Sequence, residues 1–401
     1  MHKLLVKAFL FFGLFPFVSP FPIHTDVQPV SLLLALFIFC IDFIFLKVRL
    51  NRVEVFFLIL AIFSFVFIGV VGDFELRHRV GLLFAFVIYY GVRRYHKYLT
   101  GGILLAASIF NFLGVLWHFF SPSSFIPFAS IFTRAIKITE IGARGASGFA
   151  PENSFAAALA LVYIILSIYL MKKEIISRLS HKLVFVLSAC VILLSQSGLG
   201  YVIGLMLVCI NFLISTNFKA KQRISALVVF TLVTFSFSQS SFIDTRGGQL
   251  IKVLFQNPSL LLLDGSLGER FVGIHVGITS LFHYPIGSGG GSYPVIAREM
   301  NSKYNILKYH PNARAGQLDG TVSAFGRYTT EFGYLFILFI VVLLSKSFAR
   351  TTFPLLASTL SCLFILASFS ITFPPTYILL AISSLKTEKG LKLILEDGKT
   401  T

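Results

Sequence analysis

Asn153-Ser154-Phe155-Ala156-Ala157-Ala158-Leu159-Ala160-Leu161-Val162-Tyr163-Ile164-Ile165-Leu166-Ser167-Ile168-Tyr169-Leu170-Met171 runs without a charge until it meets Lys172 and Lys173. At 1.5 Å per residue such a helix covers the roughly 30 Å hydrocarbon core of a bilayer. A single run of this kind is also compatible with a buried helix in a soluble core. Eleven further apolar runs decide between the two: 4–18, 30–46, 53–71, 80–92, 101–120, 183–197, 198–216, 224–241, 328–345, 353–371 and 374–385. Twelve runs separated by charged turns predict an all-α polytopic membrane protein of about 12 transmembrane helices. The composition agrees, with 56% apolar and 13% charged residues where soluble domains average roughly 45–50% and 25%. Mean hydropathy is +0.85. Disorder, a collagen-like fibre and a disulfide scaffold are excluded by the apolar, aperiodic chain and its four cysteines in 401 residues.

The net charge of +17, from 34 basic and 17 acidic residues, suits either a nucleic-acid partner or cytoplasmic anchoring of membrane loops. Position separates the two. With the N-terminus inside, Lys3, Lys7, Lys47, Arg49, Arg52, Arg93, Arg94 and Lys97 fall on the inner side. So do Lys172, Lys173, Arg178, Lys182, Lys219, Lys221, Arg223, Lys346, Arg350, Lys386, Lys389, Lys392 and Lys399. That is 21 basic residues, against only Arg77 and Arg79 in the short outer connections. Such a split predicts that both termini are cytoplasmic, and nucleic acid drops out as a partner. The other basic residues lie in two long outer segments, 121–152 and 242–327, which long-loop translocation leaves unconstrained. The chain therefore divides into N-terminal transmembrane helices over 1–120, a first periplasmic segment over 121–152, central transmembrane helices over 153–241, a large periplasmic loop over 242–327, and C-terminal transmembrane helices with a tail over 328–401. Pro16, Pro20 and Pro22 stand where a cleavage site would need small residues, so the first span is read as uncleaved. Cys40, Cys190, Cys209 and Cys362 all fall inside spans and are expected to pack rather than pair or bind metal.

Three functions fit a protein of this kind: a glycosyltransferase acting on lipid-linked sugars, a secondary transporter and a membrane scaffold. A transporter places ionisable groups mid-span. Here Asp42 lies near an inner edge, and His118 and Glu331 lie near outer ends. The outer segments hold Arg134, Lys137 and Arg144, then Arg246, Arg270, Arg298, Arg314 and Arg327. Arginine's planar fork binds phosphate oxygens in pairs and keeps its charge when partly desolvated. That composition fits a lipid diphosphate; a solvated surface contacting anionic lipid is the alternative. The turn Arg144-Gly145-Ala146-Ser147-Gly148-Phe149-Ala150-Pro151-Glu152-Asn153 leads into the sixth span, where Asn153 or Ser154 is placed to cap the helix. Gly268-Glu269-Arg270-Phe271 opens a helical pattern through Phe271, Ile274, Ile278 and Leu281, ending at Tyr284-Pro285 and too short to span, so it is read as an interfacial amphipathic helix. Ile286-Gly287-Ser288-Gly289-Gly290-Gly291-Ser292-Tyr293 lacks the lysine and spacing of a P-loop and reads as a permissive turn. Beyond it stand His310-Pro311-Asn312, Arg314, Asp319, Arg327 and Glu331-Phe332-Gly333. A histidine among arginines at an outer face is the group best suited to act as general base near neutral pH.

In this order, the 144–153 turn, Leu194-Ser195-Gln196-Ser197-Gly198, Glu269-Arg270, Tyr284-Pro285-Ile286-Gly287-Ser288-Gly289, His310-Pro311-Asn312 and Glu331-Phe332-Gly333 resemble the O-antigen polymerase and O-antigen ligase family of bacterial inner-membrane glycosyltransferases. Ala150 stands where that family usually has asparagine, and Pro311 where it often has a polar residue. The resemblance implies polymerisation of undecaprenyl-diphosphate-linked oligosaccharides at the periplasmic face, without a metal or other cofactor. Polymerase is the preferred branch; a ligase transferring polysaccharide to lipid A core, or a flippase, remains open, as does partnership with a chain-length regulator. Carried onto this chain, His310, Arg270 and Arg144 would be catalytic. Arg134, Asn153, Asn312, Arg314, Arg327 and Glu331 would bind substrate.

Overall fold

The computed structural model describes residues 2–20, 27–46, 48–66, 80–133, 145–214, 253, 256–257, 265–310, 315–319, 323–347, 352–367 and 372–397. Among these there are 15 α-helices and no strand, so the chain is all-α. The helices are α1 (His2–Leu14), α2 (Val30–Ile44), α3 (Arg52–Val66), α4 (Gly81–Tyr95), α5 (Gly101–Phe120), α6 (Pro122–Ser130), α7 (Asn153–Lys172) and α8 (Arg178–Ser195). They continue with α9 (Gly198–Ile214), α10 (Gly265–His283), α11 (Tyr293–Tyr304), α12 (Ala324–Phe332), α13 (Tyr334–Ser347), α14 (Thr352–Ala367) and α15 (Pro374–Asp397). Three of them, α5, α7 and α8, are long and apolar enough to cross a membrane. The expected span 224–241 lies outside the described residues.

Local signals set most helix ends. Thr100 accepts a hydrogen bond from the Ile103 amide ahead of α5, and Ser177 accepts one from Ser180 ahead of α8. Asn51 and Glu54 form a reciprocal cap on α3: Asn51 Oδ1 accepts from the Val53 and Glu54 amides, and Glu54 Oε2 accepts from the Asn51 amide. Gln196 and Asn305 close α8 and α11 in the left-handed conformation. The expected single span 328–345 is instead two helices. Gly333 adopts φ +56 between α12 and α13, a conformation that costs a residue with a Cβ, and the Tyr334 amide turns away to the Pro285 carbonyl at 2.8 Å.

The chain divides into two compact units. The first holds residues 1–35, 95–256 and 350–360. Its centre is α7, apolar all round, with 83% of its membrane-length window buried against 39% for α5 and 22% for α8. A helix without a polar face belongs inside. Ala156, Ala157, Ala158 and Ala160 keep its neighbours close, and the Tyr163 hydroxyl donates to the Leu14 carbonyl. The helix α8 instead turns Leu179, Leu183, Phe185, Val186 and Leu193 outward, a patch of apolar surface that water disfavours and a hydrocarbon phase accepts.

The second unit holds residues 36–94, 257–349 and 361–401. Aromatic side chains of α3, α4, α13 and α15 pack around Phe57, whose ring lies 5.6 Å from Phe86, 4.5 Å from Phe339 and 6.1 Å from Tyr377. Val272, Val276, Tyr293, Ile296, Ala297, Met300, Ile306 and Leu318 form a separate small core under α10 and α11. The expected packing role of the cysteines needs correcting. All four are free, but Cys40 is exposed and the other three are half-buried.

Candidate functional site

The amphipathic stretch expected from Gly268 to Leu281 forms α10, and its glycines determine what it touches. Gly273 and Gly277 are one turn apart on one face. A Cβ added at Gly326 of α12 would sit 2.2 Å from the Gly273 carbonyl oxygen, and one at Gly277 would sit 2.3 Å from the Thr329 hydroxyl. The two helices thus meet backbone to backbone, the approach that small residues spaced by four permit. Arg270 and His275 ride on α10, and Arg327 and Glu331 on α12. Arg270 is 8% exposed and Glu331 is 1% exposed.

The glycine-rich turn after α10 anchors the end of α12. The Ser288 amide donates to the Thr330 carbonyl at 3.1 Å and the Gly289 amide to the Glu331 carbonyl at 2.9 Å. Those carbonyls would otherwise lack partners at the helix C-terminus. Both amides are thereby spent on holding the end of α12. Ser288 Oγ also donates to the Thr330 carbonyl at 2.9 Å.

His310 follows a short 3₁₀ turn at Ile306–Tyr309, and its amide donates to the Leu307 carbonyl at 3.0 Å. The residue is 6% exposed. Its ring lies parallel to Phe271, 5.8 Å from His275 and edge-on to it. Nδ1 of His310 is buried and makes no hydrogen bond among the described residues. Burial lowers the His310 pKa, and the nearby His275 lowers it further; His275 itself is lowered by burial. His310 is therefore a neutral imidazole near pH 7. With the proton on Nε2, the Nδ1 lone pair is an acceptor that no described residue satisfies.

Arg327 lies over the Tyr293 ring with Cζ 6.0 Å from its centre. Arg298, another arginine of the outer loop, is committed to an exposed ion pair with Asp319, the kind worth little in water. Arg134, Arg144, Asn312 and Arg314 lie outside the described residues. His275 was not expected from the sequence. Its signal was its place one turn after Phe271 on the helix that carries Arg270.

The 145–153 turn belongs to the first unit. Gly145 has φ +73, and a Cβ there would come within 2.3 Å of the Ser195 carbonyl oxygen. The Ala146 amide donates to the Leu194 carbonyl at 3.1 Å, and the Ser147 amide donates to His118 Nδ1 at 3.3 Å. The turn and the Leu194–Gly198 hairpin are therefore brought together. Asn153 does not cap α7. The N-cap is Glu152, without a side-chain bond, while Asn153 Nδ2 reaches the Ser195 carbonyl at 2.9 Å. Ser154 Oγ donates to Glu152 Oε2. The cap expectation failed because the helix begins one residue earlier than expected, making Asn153 its first helical residue and leaving its amide to donate across to α8.

Among the described residues no three His, Cys, Asp or Glu side chains gather as a metal site requires. No protein-family model matches the chain, and no curated protein matches it significantly.

Proposed function

We propose that the chain is a multi-pass protein of the bacterial inner membrane, with about twelve spans and both termini cytoplasmic, that polymerises undecaprenyl-diphosphate-linked oligosaccharide repeats at the periplasmic face. The observation that carries this is the neutral His310, whose buried Nδ1 has no donor among the described residues, placed beside the helix that presents buried Arg270. In the reaction an acceptor sugar hydroxyl attacks the anomeric carbon of the donor repeat. The hydroxyl proton passes to His310, the new glycosidic C–O bond forms, and the bond to the lipid diphosphate breaks. Arg270, with Arg327 on the adjoining helix, takes up the charge developing on the departing diphosphate, the role for which a guanidinium fork is suited. Loss of the proton acceptor lowers the rate by roughly 10²- to 10⁴-fold.

The test is the glycan ladder of a deletion strain complemented with Arg270→Ala or His310→Ala. Loss of long chains with normal protein accumulation is expected, leaving a single repeat on the lipid A core. Unchanged long chains in both mutants would sink the assignment. A bare core with polymer stranded on the lipid carrier would identify a ligase instead.

A further inference from the structure

A second charged site stands at the end of the second unit that the basic-residue distribution assigns to the cytoplasm. A cleft of about 270 Å³ is lined by Arg49, Asn51, Glu54, Tyr90, Arg93 and Arg94, with Val48 and Leu385 completing its wall. Its size falls just below that of small-molecule clefts, roughly 300–1,000 Å³, and suits a headgroup better than an oligosaccharide. Two carboxylates organise it. Glu54 holds Arg93 at 2.9 Å. Asp42, fully buried, accepts from the Tyr90 hydroxyl at 2.9 Å and lies 3.6 Å from Arg94 Nε. Among the described residues, three guanidiniums against two carboxylates leave one formal positive charge. Arg49 is exposed, and among the described residues no ion pair holds it. Asn51 Oδ1 is used to cap α3, but its Nδ2 is buried with no hydrogen-bond partner among the described residues. A buried donor left unsatisfied costs free energy that an acceptor would recover. The surplus at the cleft is thus one charge and one amide donor, both suited to an anion.

The chain just ahead of Val48 indicates where that anion comes from. Phe43, Ile44, Phe45 and Leu46 are 55–75% exposed, an apolar surface leading straight to the cleft. We propose that the cleft binds the phosphate of an anionic membrane lipid, with Arg49 and Asn51 Nδ2 contacting the phosphate and Phe43–Leu46 against the acyl chains. The site rests on the membrane reading given above but uses none of the residues of the proposed reaction.

The full-length protein in neutral detergent is titrated with short-chain phosphatidylglycerol, short-chain phosphatidylcholine or inorganic phosphate, and its thermal midpoint is read against concentration. Phosphatidylglycerol should raise the midpoint more than phosphatidylcholine, and inorganic phosphate should compete with it. Arg49→Gln should weaken the apparent affinity roughly tenfold, the loss expected for one charge-assisted hydrogen bond. Arg52→Gln, an exposed neighbour that does not line the cleft, makes the same change in net charge and should leave the affinity unaltered. Equal effects of the two lipids, or of the two substitutions, would overturn the proposal. An Arg49-dependent response to inorganic phosphate without any response to phosphatidylglycerol would overturn the lipid source and assign the cleft to a soluble phosphate.

Discussion

Replacing Gly326 with alanine should disable the candidate site without touching any polar group in it. The added Cβ would lie 2.2 Å from the Gly273 carbonyl oxygen and 2.4 Å from its carbon. Weak C–H···O contacts between helices sit at about 3.3–3.6 Å, so α10 and α12 must separate by about 1 Å. The obstacle is backbone, and no side chain can swing aside to relieve it. Overpacking of this kind costs typically 1–3 kcal/mol. A 1 Å displacement within a positioned reacting group costs about 10²-fold in rate. The variant should melt below the parent protein and give a ladder depleted in long chains. Gly316→Ala is the matched control, since a Cβ at Gly316 meets nothing within 4 Å. Equal thermal midpoints for Gly326→Ala and Gly316→Ala would refute this, because the helix crossing would then tolerate a methyl group that its geometry forbids. A lowered midpoint with full polymer length would keep the crossing and refute its coupling to activity.

Polymer formation should fall on the acid side as His310 takes up a proton, and this limb should lie below the ordinary histidine range because burial and His275 both disfavour the imidazolium. His275→Gln removes the charge-related part of that shift, so the limb should move to higher pH; an initial-rate pH profile with purified lipid-linked repeats checks the direction. Asn153→Ala loses a 2.9 Å bond to the Ser195 carbonyl and should cost about 1–3 kcal/mol. Asn153→Asp sets a carboxylate against that carbonyl and should lower the thermal midpoint further, whereas equal midpoints for the two variants would refute the contact. Gly145→Ala, which drives a Cβ to 2.3 Å from the same carbonyl oxygen, should detach the turn from α8 and expose 145–148 to limited proteolysis faster than in the parent.

How far the sequence could be read followed from how local each feature was. The helices α5 and α7 have the boundaries that their apolar runs imply, within one residue, since length, apolarity and cap chemistry all lie in the run itself. The helix that ends ahead of Tyr284-Pro285 was legible for the same reason. The break at Gly333 was not, because the flanking run is uniformly apolar and the turn is held by Pro285, Ser288 and Gly289 from a distant stretch. Asn153 was misread as a cap because its partner, Ser195, is 42 residues away. The place of His275 one turn after Phe271 shows which face of the helix it shares, but its partner His310 is 35 residues away and only the fold brings the two rings together.

By itself the sequence determined the all-α class, the apolar runs and the uneven placement of basic residues. These depend on side-chain hydrophobicity and charge, which each residue carries wherever the chain goes. Only the tertiary structure decided that α10 and α12 meet on bare backbone, that His275 faces His310, and that Arg49 and Asn51 border one cleft. Those are relations between residues far apart in the chain, created when close packing forces specific surfaces together, and no local property of either partner encodes them.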